Sequence, residues 1–285
     1  MKKEVKIFND DFNIKLTDIS KLKFLEVEEQ SLSVNANTVE MNGIDGVLMG
    51  PSNFGPFNIV LNFSYLADDI KDYKLINQQL RNILFTKDAY YLWHSDAPGI
   101  KFAVYAEEIS YEESMSVLNQ FSVTFVVYKG YSESYRDTTD IKLLQEYSQF
   151  GQGLEVSNDI SYKHNTKTFK IFNGSTEDID PILRHKLIIK SNMEAPNGFK
   201  ITNKTTSKKL SSGLVTNVFE YKKAIKRSQT FLLNGVYPYV NNKRVGVDTN
   251  YGYISLAKGW NEIVVEGDGL EKIDIEFIFN YIFRW

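Results

Sequence analysis

Adjacent carboxylates are the residues of this chain best suited to acid–base chemistry. They occur as Asp68-Asp69, Glu107-Glu108 and Glu112-Glu113. Glycoside hydrolysis needs two carboxyl groups that face one another across the scissile bond. Neighbouring residues on a strand point to opposite faces, so none of these pairs makes an acid–base couple by itself. Carboxylates that meet across strands would be required, and a glycan hydrolase is the least favoured hypothesis. We predict no catalytic residue and no enzymatic activity.

Metal and cofactor chemistry has little support in the residue types. The three histidines are His94, His164 and His185, and none has a second histidine at helical or hairpin spacing. The absence of cysteine excludes disulfides, thiolate metal ligands and cysteine nucleophiles. We therefore predict no metal site and no cofactor, and we expect His94 and His185 to lie at the surface or in turns.

Charge and aromatic residues suggest two further kinds of contact. The most basic cluster is Lys222, Lys223, Lys226 and Arg227. Its favoured interpretation is a strand edge protected by lysine, and the alternative is contact with phosphate or teichoic acid. A net charge of −3 disfavours nucleic acid and anionic membrane as partners.

Exposed aromatic rings can stack on sugar faces, so Tyr251 and Trp260 are candidate glycan contacts. Core packing is nevertheless the favoured interpretation for Trp260 and for the nearby Tyr253.

The elements that must position these residues are mainly strands. Aromatic residues make up 14% of the 285 residues, which favours pleated, half-buried surfaces. Apolar residues alternate at 57–63 and again at 121–127, as in strands. Between them the period changes to three and four residues, and this predicts a helix over 67–85. We therefore predict an N-terminal domain over residues 1–137 with one helix among strands.

The second half of the chain has a different pattern. Residues 138–158 are predicted to be a linker with a short helix that Asp137 or Thr138 caps. Residues 159–285 contain about eight short apolar runs separated by Asn-Gly and similar turns. This spacing predicts a β-sandwich or jelly roll. The chain begins Met-Lys-Lys-Glu without an apolar run, so we expect no signal peptide and synthesis in a cytoplasm.

The most unusual stretch is the Gly/Pro-rich excursion at 42–65, which runs into an apolar strand. Long ordered excursions usually reach a ligand or a partner. This one has no acid, base or thiol arranged for chemistry, so we predict that it contacts another protein chain. Its tip is either Met49–Phe54 or Val34–Met41. The predicted contact residues are Val47, Leu48, Met49 and Phe54.

The order of these features resembles the distal tail protein (Dit) family of long-tailed phages that infect Gram-positive bacteria. In the N-terminal half the resemblance includes Asn-Gly-Ile-Asp-Gly at 42–46, the strand at 57–65 and the helix that follows. In the C-terminal half it includes 172–177, 254–261 and the closing alternating strand to Trp285. These motifs are short, but their order covers nearly the whole chain.

The resemblance implies a mainly β protein with an N-terminal split-barrel or β-sandwich domain and a C-terminal galectin-like β-sandwich. It also implies a homohexameric ring at the tip of the tail tube, located in the virion and made in the bacterial host cytoplasm. Its partners would be the tail tube protein, the tail-associated tip protein and receptor-binding baseplate proteins, with DNA passing through the bore. The alternative function is a carbohydrate-binding module that contacts host cell-wall glycans.

Overall fold

A computed structural model describes residues 3–111, 118–149, 159–208 and 216–284 of the chain. Contacts between residues divide it into two compact units. The first runs up to Glu133 and includes Arg284, and the second spans Ser134–Phe283. The predicted mainly β character is confirmed. Domain limits at 137 and 159 stay a prediction, and residues 150–158 of the predicted linker lie outside the described residues.

The first unit contains nine strands and one α-helix among the described residues. These are β1 (Val5–Phe8), β2 (Asn13–Lys15), β3 (Leu22–Glu29), β4 (Val34–Glu40), β5 (Val47–Phe54), β6 (Phe57–Leu66), α1 (Ile70–Leu84), β7 (Tyr90–His94), β8 (Ile100–Tyr111) and β9 (Leu118–Ser134). A 3₁₀ turn, Leu16–Asp18, connects β2 to β3. Strands β4 and β5 pair only with one another, apart from the main sheet.

The main sheet of this unit has the strand order β2-β1-β7-β8-β9-β6-β3. The sheet curls. Phe24 on the edge strand β3 shows this, because its ring packs against His94 on β7 with ring centroids 6.4 Å apart. Phe57 on β6 meets Phe102 on β8 in the same way at 6.5 Å. Alternate residues of β1, β6, β7 and β9 are buried in this interior, as the period of two requires. The curled sheet therefore encloses an aromatic core.

Helix α1 spans Ile70–Leu84, which confirms the predicted helix over 67–85. Its N-cap is Asp69, whose side chain accepts a hydrogen bond of 2.7 Å from the Asp72 backbone N–H. The Asp72 carboxylate in turn accepts from the Asp68 backbone N–H and from the Tyr65 hydroxyl. Asp68 and Asp69 thus begin a helix rather than forming an acid–base couple.

His94 is not the surface or turn histidine that we predicted. It is the last residue of β7 and is only 1% exposed, with its ring stacked on Phe102 at 5.9 Å. Its position follows from the alternation Tyr90, Leu92, His94, which places all three side chains in the interior. Neither ring nitrogen has a hydrogen-bond partner among the described residues. Burial lowers the pKa of His94 to about 4, against a small opposing effect from Asp96.

The second unit contains eleven strands and one short α-helix among the described residues. These are α2 (Ile141–Glu146), β10 (Lys163–His164), β11 (Thr168–Asn173), β12 (Leu187–Glu194), β13 (Phe199–Asn203), β14 (Val218–Tyr221), β15 (Phe231–Asn234), β16 (Tyr237–Val240), β17 (Lys243–Arg244), β18 (Gly259–Glu266), β19 (Glu271–Phe279) and β20 (Ile282–Phe283). Short 3₁₀ turns occur at Pro181–Leu183 and Gly246–Asp248.

Two facing sheets make the second unit a β-sandwich, as predicted. One has the order β10-β19-β12-β15-β16-β17 and the other the order β11-β18-β13-β14. Phe199 of the second sheet packs edge-to-face on Phe231 of the first, with ring centroids 5.0 Å apart. Phe169 and Phe277 make the corresponding contact at 6.0 Å elsewhere between the sheets. Aromatic pairs of this kind form the layer between the sheets.

The short helix was predicted in the right place but with the wrong cap. Helix α2 begins after Asp140, whose side chain accepts hydrogen bonds from the backbone N–H groups of Lys142 and Leu143. Thr138 instead donates its hydroxyl to the Phe277 carbonyl. Asp137 accepts from Thr139, so neither predicted residue is available as the cap. None of the described helices is long and apolar enough to cross a membrane.

The burial of His94 predicts a pH dependence for the stability of the first unit. The ordinary pKa of 6.5 applies when the chain is unfolded, so that state binds the proton more readily than the folded state does. Stability is then present above pH 6.5 and is lost as the pH falls towards 4. At pH 5 the loss attributable to this group is about 2 kcal/mol relative to neutral pH.

The measurement is urea denaturation of the unsubstituted protein and of His94→Phe at pH 7 and pH 5. We expect the loss of unfolding free energy between the two pH values to be smaller in the variant by that amount. His185→Asn, in the second unit, is the control and should behave as the unsubstituted protein. Equal losses in all three proteins would contradict the prediction.

Candidate functional site

Strands β4 and β5 form an exposed hairpin, which we call the arm (residues 34–54). Within the Gly/Pro-rich excursion, 47–54 is itself a strand, and it pairs with 34–40. Pro51 is compatible with this strand because it lies where the register shifts, opposite Asn37. The Asn37 side-chain amide donates a hydrogen bond of 3.0 Å to the Pro51 carbonyl there.

The arm carries large apolar side chains on both of its faces. In the outer half, Met49 lies opposite Thr38 and Leu48 lies opposite Val39. Directly paired residues share a face and successive residues alternate, so Met49 and Leu48 point in opposite directions. Met49, Leu48 and Val47 are 67%, 56% and 47% exposed. Among the described residues of its own unit, the arm therefore has no inner face that is covered.

The tip of the arm overlaps the two predicted segments only at Met41. It is the turn between the strands, residues 41–46, where Gly43 and Gly46 have φ values of +86° and +82°. These values lie in the left-handed region, which glycine adopts without steric cost. The tip also exposes two large apolar side chains, Met41 and Ile44.

An exposed apolar ribbon is an unusual surface for an isolated chain. A hairpin of two strands is marginally stable by itself in water. Contiguous exposed apolar side chains mark surfaces that meet another protein. The outer edges of β4 and β5 also present backbone N–H and C=O groups that no strand of the described residues pairs. The arm is therefore the candidate functional site of the first unit.

The root of the arm is packed differently from its outer half. Phe54 lies beneath the guanidinium group of Arg284, whose central carbon is 3.7 Å from the centroid of the ring. Val47, Leu48 and Met49 lie farther along the arm, where about half or more of the surface of each residue is exposed. All four residues stay predicted contact residues. Arg284, together with Val39 and Ile44 on the arm, was missed. Val39 lies within the Val34–Met41 alternative for the tip, but no local signal links Arg284 to Phe54.

The two candidate glycan contacts do not lie side by side in the second unit. Trp260 is 39% exposed on β18, which makes the predicted core position wrong, because its neighbours Asn261, Ile263 and Val265 take the inward positions. Its ring packs against Phe172 at 5.1 Å.

Tyr251 is 78% exposed, in a segment whose preceding residue, Asn250, bonds to Glu220 on β14. Strand β13 lies between β14 and β18. The two strands that flank it are about 10 Å apart, so a single sugar ring cannot stack on both aromatic side chains.

The remaining candidates for chemistry are dispersed. Glu107 and Glu108 are both exposed on β8, while Glu112 and Glu113 lie outside the described residues. No group of three or more acidic or histidine side chains that could hold a metal occurs among the described residues. The basic cluster that begins at Lys222 is in the exposed connection from β14 to β15, so its predicted place on a strand edge is wrong.

The exposure of the arm predicts that its outer side chains contribute little to the stability of the single chain. We expect Met49→Ser to change the free energy of unfolding by less than about 0.5 kcal/mol, as for other surface substitutions. The matched core variant is Leu61→Ala, which removes a fully buried side chain of β6 and should cost about 2–5 kcal/mol. Urea denaturation of dilute protein measures both values. A loss for Met49→Ser as large as that for Leu61→Ala would show that the arm packs within its own unit.

Comparisons with known proteins agree with this architecture. Residues 8–127 match the family model of the phage tail protein RIFT-related domain. A comparison with curated protein sequences finds no match.

Among solved structures, the crystal structure of the SPP1 Dit protein aligns with a TM-score of 0.69 and 11% identity, over 97% of this chain and 99% of that one. It is described as a paradigm of the hub of the adsorption apparatus in phages that infect Gram-positive bacteria.

Two structures of the phage P2 baseplate in its activated conformation, with Ca and with Sr, align with TM-scores of 0.48 and 0.47. Each is 13% identical, and the alignments cover 98% and 97% of this chain and the same shares of theirs. The predicted resemblance to the distal tail proteins is confirmed: residues 8–127 match the phage tail protein RIFT-related domain, and the chain shares the fold of the SPP1 Dit protein.

Proposed function

We propose that this chain is a structural subunit of a phage tail tip, and that six copies form a ring in which the arm contacts a neighbouring copy. The observation that carries the proposal is the arm itself, which exposes apolar side chains on both faces. The phage tail protein domain and the distal tail protein fold support the tail location. The ring and its number of copies are inferred from the resemblance to that family.

The physical properties of the arm suit a closed ring. Ring assembly requires a heterologous contact, in which one surface of a copy meets a different surface of the next. A projecting ribbon provides such a surface, because its unpaired edges can add main-chain hydrogen bonds to a partner sheet. Burial of each large apolar side chain contributes about 1.5–3 kcal/mol. Each arm presents several of these side chains, and a closed ring repeats the contact at every interface.

The proposed ring joins the tail tube protein to the tail-associated tip protein and to receptor-binding baseplate proteins. Genomic DNA passes through its bore in transit. A net charge of −3 supports this role, because a surface without excess positive charge does not retain phosphates. The proposed role is structural and non-enzymatic. The dispersed carboxylates and histidines of the described residues support it, since they form no constellation for catalysis.

The ring is tested by the oligomeric state of the purified protein. We expect light scattering to give the mass of six chains and negative-stain images to show rings. Val47→Asp combined with Met49→Asp should abolish assembly, because it places two charges in the proposed apolar contact. The matched control is Val247→Asp in the second unit, since Val247 is also highly exposed and should leave assembly intact. Rings formed by the arm variant would contradict the proposed contact, and a strictly monomeric unsubstituted protein would contradict the ring.

The second candidate function is carbohydrate binding by the second unit. It is favoured by one observation, the partly exposed indole of Trp260, which packs at a tilt against Phe172 at the surface of a sheet. Aromatic rings held in this way offer a flat apolar face to a sugar. The separation of Tyr251 from Trp260 reduces the support, because it leaves a platform of one exposed ring rather than two.

Calorimetric titration of purified host cell-wall glycans against the full chain tests this candidate. If Trp260 is the platform, Trp260→Ala should weaken binding by roughly ten-fold or more, as loss of a stacking side chain does. Tyr237→Ala, which removes another exposed aromatic ring of the same unit, is the control. Absence of any heat with the unsubstituted chain would exclude this function for the glycans used.

A further inference from the structure

We infer that Arg284 is a positioning residue of the arm, and that with Gly130 it fixes the direction in which the arm leaves the first unit. This inference rests on the proposed function, since a fixed direction matters only if the arm must meet a neighbouring copy. It assigns a role to a residue outside the arm and 230 positions away from Phe54 in the sequence. The contacts that carry it all lie within the first unit.

The first contact is a close approach of backbones at the root. Gly130 on β9 has a φ of +69°, and a Cβ atom there would lie 2.8 Å from the Gly55 carbonyl oxygen and 3.2 Å from that of Phe54. Only glycine avoids both the strained φ and the clash. The Gly55 N–H donates a 3.0 Å hydrogen bond to the Ser33 carbonyl, which closes the hairpin at this point. The root of the arm is therefore seated directly on the backbone of the main sheet.

The second contact holds the two sides of this root together. The Arg284 guanidinium lies over the Phe54 ring at 3.7 Å, and its Nη1 donates a hydrogen bond of 3.1 Å to the Gly130 carbonyl. One side chain thus binds the last residue of β5 and the glycine of β9 at the same time. Guanidinium suits this task because it stacks on an aromatic face through its plane while its edge donates hydrogen bonds.

The root affects any contact made by the outer half of the arm, because a small rotation at the root displaces the tip by several ångströms. The eight residues of β5 span roughly 25 Å, so a rotation of about 10° at the root displaces the tip by roughly 4 Å. A shift of that size moves a side chain from one partner pocket to the next. Main-chain pairing with a neighbour tolerates even less, because a slip of one residue reverses the faces. Two fixed points at the root reduce this motion before assembly.

The test compares Arg284→Gln and Arg284→Lys with Arg244→Gln. Arg244 is the matched control, because its guanidinium also lies over an aromatic ring, that of Tyr237 at 4.4 Å, but in the second unit. Two readouts are needed: amide hydrogen exchange of residues 34–54 and the fraction of chains in rings. Exchange is measured in the Val47→Asp/Met49→Asp background, where ring contacts do not protect the arm. Ring assembly is measured in the otherwise unsubstituted protein.

We expect Arg284→Gln to accelerate exchange of the arm amides by roughly five-fold or more, while exchange in β1 and β7 is unchanged, because only local opening is affected. The fraction in rings should fall in the same variant. Arg284→Lys should restore part of both effects, since it keeps the charge over the ring but loses the planar fork. Arg244→Gln should alter neither readout.

The inference is overturned if Arg284→Gln leaves arm exchange unchanged, or if exchange accelerates and ring assembly is unaffected. These outcomes differ from a failure of the proposed function. If the Val47→Asp/Met49→Asp protein still forms rings, the arm is not the assembly contact, whatever the exchange data show. If that protein fails to form rings while Arg284→Gln assembles normally, the proposed function stands and the role of Arg284 is refuted.

Discussion

A ribbon of two strands has two faces and two edges, and it cannot bury all of them within its own hairpin. The constraint applies to both faces of the arm, because apolar side chains such as Met49 and Leu48 are exposed on opposite faces. A third strand would pair with one edge of the arm, and a helix would cover one face, so neither alone would bury the whole ribbon. The proposed ring would meet this constraint, since a neighbouring copy can supply the missing cover at every interface. The same constraint explains why the arm needs a rigid root.

The rest of the first unit is suited to be the platform for that root. Its sheet curls on itself, so that rings from strands distant in the order, such as Phe24 and His94, meet in one aromatic interior. Strand β9 contributes to this interior through Val123 and Phe125 and then reaches Gly130, where the arm is seated. Well-packed cores resist deformation. The arm therefore projects from the stiff part of the unit, and the contacts of its outer half are free for assembly.

The second unit buries the inner faces of its sheets against one another. Its two sheets cover one another through aromatic pairs, and its buried asparagines are hydrogen-bonded. The Asn203 amide, for example, donates to the Ser255 carbonyl and to the Asn261 side chain. Satisfied polar groups of this kind fix loop positions without creating a binding site. What remains exposed is local, and the large apolar side chains concerned are Ile182, Leu183, Val236, Tyr237, Val247, Tyr251 and Trp260. These side chains occur singly or in adjacent pairs, whereas the exposed apolar side chains of the arm follow one another along the whole hairpin.

The sequence by itself determined the element types, because the periods of helices and strands are local properties. It indicated the helix over 67–85, the sandwich of the second half and the order of motifs that resembles the distal tail proteins. The same alternation could also have placed His94 inside and Trp260 outside, since each follows the parity of its strand.

Only the tertiary structure decided how the excursion folds and what holds it. Glycine and proline at 50 and 51 read locally as a loop, yet pairing with 34–40 makes that segment a strand. Arg284 reaches Phe54 through contacts across 230 residues, and such long-range pairs leave no periodic trace in a single sequence. Local patterns report the conformation of a segment, whereas the partner of a surface is decided by which distant segments the fold brings to it.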